Sequence, residues 1–259
     1  MAKKITPKKS LGQHFLNDRG IAEKIVSSLR ADGIRHVVEV GPGMGALTPI
    51  LLQEQRFDTF FVEIDVEAAD YLLAQYPEIK DKLLIADFLR YPMEAYFGDA
   101  PLAIIGNFPY NISTQIFFKI LEHRSQVKEV VGMLQKEVAE RIAAPPGSKT
   151  YGITSVLLQA FYDIEYLFTV HEYVFTPPPK VKSGVIRLTR NHIEALPCNE
   201  TLFFRVVKTA FNQRRKMLGN SLKSLLPAGH AAYSILSKRP EQLGVQEFIE
   251  LTQFVEAAS

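Results

Sequence analysis

At 259 residues the chain has room for one large domain, or for one domain with a small appendage. A hydrophobic content of 47% suits a packed core, but no run approaches the ~18 apolar residues of a membrane span, and Met1-Ala2-Lys3-Lys4-Ile5-Thr6-Pro7 lacks the apolar stretch of a secretion signal. The one cysteine, Cys198, excludes an internal disulfide and leads to the expectation of a reducing, cytoplasmic setting with no membrane association.

The net charge of +2 becomes informative only when split along the chain. Acids outnumber bases from Asp58 to Asp99, whereas Thr201 to Pro240 holds no Asp or Glu and carries Arg205, Lys208, Arg214, Arg215, Lys216 and Lys223 among its cations. A second acid-free window, Tyr173 to Ile193, contains Lys180, Lys182, Arg187 and Arg190, and Lys3, Lys4, Lys8 and Lys9 make the N-terminus basic as well. This distribution favours a polyanion partner, nucleic acid above all, over a merely solvated surface.

In chain order, Asn17-Asp18 caps an amphipathic helix whose buried stripe is Ile21, Ala22, Ile25, Val26 and Leu29. His36 to Val40 reads as a strand ending in the turn Gly41-Pro42-Gly43-Met44-Gly45, with a helix over 46–53 behind it. A strand over 59–64, a helix over 66–76 and a strand over 82–86 ending at Asp87 follow. Leu102 to Gly106 is a short, apolar, buried strand leading into Asn107, and Ser113 is placed to cap a helix over 114–121. A strand over 127–134, a helix through Val138, Ile142 and Ala143, a helix over 153–161 and strands at 166–170 and 183–188 complete the pattern. Strands alternating with helices predict a parallel, doubly wound sheet, an α/β Rossmann-like domain over residues 1–192. From about residue 199 only helices are expected, over 200–212, 216–226, 230–237 and 246–256, which gives a small, basic, helical domain over 193–259.

Several strand ends carry chemistry. The Gly41-Pro42-Gly43 turn lets the backbone approach a ligand closely, and Glu63, about twenty residues on, is placed to accept ribose hydroxyls. These features alone fit NAD as well as S-adenosyl-L-methionine, although Gly-x-Gly-x-Gly departs from the dinucleotide spacing. Asp87 suits an adenine amino group, or simply caps the next turn. Asn107-Phe108-Pro109-Tyr110 offers an amide, a stiff backbone carbonyl and a flat ring, a set that suits adenine; an Asn-Pro turn with Tyr110 in the core is the alternative. The scattered histidines, with no His-Glu-x-x-His and no paired cysteines, predict no metal.

Taken together, Lys9 to Leu16, Glu39 to Thr48, Asn107 to Ser113, Met133 to Ala139, Phe175 to Val181 and Ala210 to Lys216 resemble the ribosomal RNA adenine dimethyltransferase family, and within it the small-subunit (16S) branch. Phe108 stands where that family usually has Leu, and His14 where many members have Asn. The resemblance implies a class I methyltransferase fold with S-adenosyl-L-methionine as methyl donor, contacted by His14, Leu16, Gly41, Gly43, Glu63, Asp87 and Asn107. It implies a chain that acts as a monomer on the precursor of the small ribosomal subunit and dimethylates two adjacent adenines near the 3′ end of its rRNA. An assembly factor acting by binding alone and a large-subunit rRNA adenine methylase are the rival readings; Phe175-Thr176-Pro177-Pro178-Pro179-Lys180 and the basic tail favour the small-subunit branch.

The chemistry then falls to Asn107, Phe108, Pro109 and Tyr110. An adenine amino nitrogen is a poor nucleophile because its lone pair is delocalised. Acceptance of its two hydrogens by the Asn107 side-chain oxygen and the Phe108 carbonyl would free that lone pair as positive charge builds. Tyr110 and Phe175 are candidate stacking faces for a base drawn out of its helix, with a buried core position as the alternative for Phe175. Lys180, Lys182, Arg214, Arg215, Lys216 and Lys223 are the candidate RNA-backbone contacts. Arg214-Arg215-Lys216 reads as the opening of a helix, where cations oppose the dipole and phosphate binding would explain their presence.

Overall fold

A computed structural model describes residues 7–8, 11–226 and 233–257, so most of the basic N-terminus and the start of the expected 230–237 helix lie outside the described residues. The elements are β1 (Phe15–Leu16), α1 (Arg19–Ser27), β2 (His36–Val40), α2 (Thr48–Gln53), β3 (Asp58–Glu63), α3 (Val66–Gln75), β4 (Leu83–Ile85), α4 (Met93–Phe97), β5 (Leu102–Asn107) and α5 (Ser113–Glu122). They continue with β6 (Val127–Gln135), α6 (Lys136–Ala143), α7 (Ile153–Gln159), β7 (Tyr162–Val170), β8 (Phe175–Thr176), β9 (Ser183–Arg190), α8 (Glu200–Asn212), α9 (Leu218–Ser221) and α10 (Val245–Glu256).

Asp18 is the N-cap of α1 and accepts the Ile21 N–H at 3.0 Å, as its position before an apolar stripe predicts. Ser113 behaves differently. It is the first residue of α5, and its hydroxyl donates to the Tyr110 carbonyl at 3.3 Å, so it pins the preceding turn instead of capping the helix.

Seven strands form one sheet in the order β4-β3-β2-β5-β6-β9-β7, and β1 pairs with β8 in a separate two-stranded ribbon. The first five are parallel neighbours, whereas β9 runs antiparallel to β6, pairing Gly132 with Ile186 and Gln135 with Ser183. The sheet is therefore mixed, not wholly parallel. The reason lies between Val170 and Ser183: only one turn of 3-10 helix and β8 stand there, and no helix long enough for a crossover. The chain runs outward through β2, β3 and β4 and then returns to place β5 beside β2, which makes the β2/β5 junction the switch point where such sheets open a crevice.

Ile25, Val26 and Leu29 of the first helix and its end close one face of this sheet over Val37, Ala103, Ile105, Val131 and Met133, all buried. Two glycines facing each other on adjacent strands, Gly106 and Gly132, leave a slot in it. The Phe108 ring fills that slot: a Cβ on Gly132 would lie 2.5 Å from Phe108 Cε2, and one on Gly106 2.9 Å from Cε1. Phe108 is accordingly buried and meets Phe117 edge-on at 5.8 Å. We expect Phe108→Leu to lower the unfolding free energy by about 1–2 kcal/mol in urea titrations. Gly132→Ala alone should cost about 1–3 kcal/mol by overpacking, and the double variant should recover much of it.

The chain divides into two compact units, Met1–Ala139 with Ile164–Arg190, and Glu140–Asp163 with Asn191–Ser259. The boundary expected at 192/193 thus falls at Arg190/Asn191, and the 140–163 segment, expected in the first domain, goes with the tail. Packing explains this: Val156, Leu157 and Leu158 of α7 are buried, α7 lies against α8 and α10, and Tyr151 meets the Phe211 ring at 6.1 Å, which stacks on Phe248 at 5.9 Å. Within the second unit α8 follows its expected span, but the 216–226 helix shrinks to Leu218–Ser221 and 234–237 is a 3-10 turn. Arg214, Arg215 and Lys216 therefore sit in the turn between α8 and α9, not at a helix start, and the dipole argument for them lapses. No helix among the described residues is long and apolar enough to cross a membrane.

Candidate active site

The C-terminal ends of β2, β3, β4 and β5 open on one cavity of ≈ 540 Å³, within the range of sites for small organic ligands. Gly41, Gly43 and Gly45 all have positive φ (67°, 57° and 80°), so the chain turns sharply out of β2 without side chains in the way. The turn is held from below. The Gly43 N–H donates to Glu63 Oε2 at 2.9 Å, and the Asp65 N–H donates to Glu63 Oε1 at 2.9 Å. Each oxygen of this buried carboxyl keeps lone-pair capacity for a ligand hydroxyl. Burial raises the Glu63 pKa above the usual carboxylate range, with the two backbone N–H donors opposing the shift.

Glu39, at the end of β2, lies deeper and lines the same cavity. It is 2% exposed and accepts the Thr48 hydroxyl at 2.8 Å, which ties the end of β2 to the start of α2. Burial pushes its pKa from 4.5 up to about 8. The folded protein therefore keeps the Glu39 proton at pH values where the unfolded chain has lost it. Stability from this residue is fullest below pH 4.5, falls as pH rises toward 8, and is level above that. Glu39→Gln cannot ionise, so its stability relative to the parent should climb by on the order of 3 kcal/mol between pH 5 and 8, read by urea unfolding at both pH values.

Ile64 follows Glu63 and is 51% exposed although it lines the cavity, which supplies an apolar face beside the carboxyl. Asp87, just past the end of β4, also lines the cavity; its Oδ1 accepts the Leu89 N–H at 3.0 Å, so it caps the next turn while keeping its other oxygen 3.7 Å from Arg90.

At the fourth strand end the Asn107 Nδ2 donates to the His14 carbonyl at 2.9 Å. That bond fixes the amide orientation and leaves Oδ1 as the end able to accept. In the turn that follows, the Pro109 carbonyl takes the Ile112 N–H at 3.2 Å and the Tyr110 carbonyl takes the Ser113 hydroxyl, whereas among the described residues no donor reaches the Phe108 carbonyl. Two acceptors on consecutive residues are thus left unused beside the cavity. The Phe108 N–H donates to the Met133 carbonyl at 2.9 Å, and its ring is anchored in the Gly106/Gly132 slot, so this carbonyl is held on both sides. Tyr110 lines the cavity as well and its hydroxyl is 2.6 Å from Ser183 Oγ.

A strap over residues 11–17 crosses this rim. The Lys8 ammonium meets Asp65 Oδ1 at 2.7 Å and Gln13 Nε2 donates to Asp65 Oδ2 at 3.1 Å, which fastens the strap beside Glu63. His14 Nδ1 is 2.8 Å from the Pro177 carbonyl, which can only accept, so Nδ1 carries the proton; the ring lies 5.3 Å from that of Tyr110. Beyond it β1 pairs Leu16 with Phe175.

Every residue expected at the donor and at the reacting amine, namely His14, Leu16, Gly41, Gly43, Glu63, Asp87, Asn107, Phe108, Pro109 and Tyr110, lines the one cavity. Phe175 does not. It is 2% exposed and packs in the core with Leu16 and Val170, so of its two readings the structure takes the buried one, and its ring offers no face to a base. Lys180 and Lys182 are exposed before β9, and Arg215, Lys216 and Lys223 are exposed in the second unit. Arg214 is half-buried there, 3.8 Å from Glu241 and donating to the Ser148 carbonyl at 3.3 Å. Among the described residues no three His, Cys, Asp or Glu side chains are grouped to share a metal ion.

A family model for ribosomal RNA adenine dimethylase matches residues 5–252. The chain belongs to that family. It is 58% identical over 254 residues to the ribosomal RNA small subunit methyltransferase A of Cytophaga hutchinsonii, covering 97% of this chain and 98% of that one. It is 57% identical over 255 residues to the protein of the same name from Flavobacterium johnsoniae, covering 98% and 97%. Among solved structures, a dimethyladenosine transferase from Plasmodium falciparum superposes with a TM-score of 0.77 at 23% identity, over 95% of this chain and 98% of that one, and shares its fold. Family membership makes the protein a methyltransferase that modifies ribosomal RNA at adenine, on a Rossmann-like α/β domain.

Proposed function

We propose that the protein transfers methyl groups from S-adenosyl-L-methionine to the N6 amino groups of two adjacent adenines near the 3′ end of small-subunit rRNA, dimethylating each during maturation of the subunit, and that it acts as a monomer in the cytoplasm. The observation that carries this reading is the pair of unused acceptors, Asn107 Oδ1 and the Phe108 carbonyl, fixed at the edge of a cavity whose other walls suit an adenosyl cation. The cavity fits such a donor chemically: the Glu63 carboxyl can accept its ribose hydroxyls, Ile64 offers an apolar face, and Asp87 an acceptor.

The bound donor supplies an electrophilic sulfonium methyl. Asn107 and Phe108 do the rest by position: their two oxygens accept the two amino hydrogens, the lone pair localises on nitrogen, and the bonds strengthen as that nitrogen becomes cationic. Each bond is worth only about 0.5–1.5 kcal/mol in a ground state, so the gain lies in the transition state. The new N–C bond forms as the S–C bond breaks, and the proton on nitrogen leaves to water. Tyr110 supplies the face that holds the extracted base.

The segment 193–259, with Arg214, Arg215, Lys216 and Lys223, serves in this reading as the RNA-binding domain, with Lys180 and Lys182 on the first unit. Affinity for RNA should accordingly fall steeply with salt. The names of the relatives from Cytophaga hutchinsonii and Flavobacterium johnsoniae support the small subunit over the large one. Calorimetric titration tests the donor assignment: S-adenosyl-L-methionine binds with one site per chain and NAD does not. Saturable NAD binding without S-adenosyl-L-methionine binding would overturn it.

A further inference from the structure

Tyr173 is 76% exposed, the most exposed large hydrophobic side chain among the described residues, and it has no part in the cavity or the core. Its ring stacks on that of His171, also exposed, with centroids 5.4 Å apart and planes 21° from parallel. An exposed aromatic pair held flat to water leaves apolar area unburied.

Its place is informative. Tyr173 lies in the turn Glu172–Val174 that leads directly into β8. That turn is fastened to the strap, because the Val174 carbonyl takes the Asn17 N–H at 2.8 Å and Asn17 Nδ2 donates to Thr176 Oγ1 at 2.7 Å. The partner of β8 is β1, whose Phe15 and Leu16 line the cavity. Tyr173 thus stands two residues from the ribbon that edges the reacting site, within about 7 Å along the chain. Further along the same segment, past β8, Lys180 and Lys182 are exposed, and no Asp or Glu occurs from Tyr173 to Ile193. The adjoining acid, Glu172, has one carboxylate oxygen buried. An exposed flat aromatic face on an acid-free segment that also carries exposed lysines is a combination suited to single-stranded nucleic acid: stacking for a base, cations for its phosphates.

We propose that Tyr173, backed by His171, is a stacking platform for an unpaired nucleobase flanking the target adenine in the RNA. This rests on the reading of the substrate as RNA given above. Stacking of this kind is sequence-tolerant, so the platform grips the strand and keeps the target base at the cavity while Asn107 and Phe108 select its amino group.

The chain contains no tryptophan, so Tyr173→Trp installs a single reporter at the platform. Its emission should be quenched on titration with oligoadenylate and should not respond to inorganic polyphosphate, which carries the charge without the bases. Tyr173→Ala should raise KM for unmodified small subunits ~5- to 100-fold, with kcat and the Kd for S-adenosyl-L-methionine unchanged, and Tyr173→Phe should restore KM. An emission that ignores saturating oligoadenylate, or a Tyr173→Ala protein with parental KM, would overturn the platform. If the parent protein itself transferred no methyl group to adenine in RNA, the functional reading would fail and the platform with it; normal transfer by parent and variant alike sinks the platform alone.

Discussion

Asn107→Ala should lower kcat for methyl transfer by ~10²–10³-fold, the loss that follows removal of one preorganised group from the transition state in other enzymes, while binding to the small subunit should stay within about threefold. In the proposed mechanism the side chain has two functions at two ends. Its Oδ1 is available to accept an adenine amino hydrogen, and its Nδ2 donates to the His14 carbonyl and so fixes which end faces the substrate. Alanine removes both. Asn107→Asp separates them: it keeps an acceptor oxygen but sets its other oxygen against the His14 carbonyl, where a donor is required. That variant should transfer methyl groups more slowly than the parent and faster than alanine. Single-turnover rates with saturating donor and subunit check both, since they report the chemical step free of product release. Transfer at the parental rate by Asn107→Ala would remove the amide from the mechanism.

The second large effect belongs to Glu63. Replacement by alanine strips the acceptor from the Gly43 and Asp65 N–H groups together, and with it the carboxyl available to ribose hydroxyls. Hydrogen bonds to a charged group are worth about 1.5–3 kcal/mol, so the Kd for S-adenosyl-L-methionine should rise ~10²-fold. Because in the proposed function the carboxyl holds the ribose, a part of the donor remote from the reacting methyl, kcat at saturating donor should change by only about two- to threefold. Glu63→Gln keeps one acceptor oxygen and should fall between. Calorimetry on the three proteins decides it; a Kd for Glu63→Ala equal to the parent's would show that the carboxyl serves only to brace the glycine turn.

Much of the first unit was legible because local signals agreed with one another. Asp18 before an apolar stripe, the glycine turn after β2 and the apolar run before Asn107 each name an element and its end, and the structure keeps all three. The antiparallel β9 was not legible from alternation of strands and helices. The informative feature was the absence of helix-forming sequence between Val170 and Ser183. Ser113 misled for a local reason: a serine beside a helix start is a cap by default, and here the Tyr110 carbonyl competes for its hydroxyl.

At the site, the residues on strand ends were readable because strand ends converge. What escaped was everything whose meaning depends on contacts across the chain. Asp65 looks like the cap of α3, which it is, yet it also anchors Lys8 and Gln13 from the strap. Glu39 is flanked by valines in a buried strand, and a carboxyl there is itself the signal, since burial without a purpose is costly. Phe108 and Gly132 are far apart in sequence, and only their contact shows that the large residue at one position depends on the missing side chain at the other. Phe175 shows the opposite limit: its motif suggested stacking, and its packing against Leu16 and Val170 withdraws the ring.

The central claim is that this cavity delivers methyl groups to adenine amino nitrogens in small-subunit rRNA. Unmodified small subunits are incubated with the protein and methyl-labelled S-adenosyl-L-methionine, and the labelled RNA is digested and mapped. The account predicts label in N6,N6-dimethyladenosine alone, at two adjacent positions near the 3′ end. Label on another base, or label taken up by large-subunit RNA in place of small-subunit RNA, would contradict it.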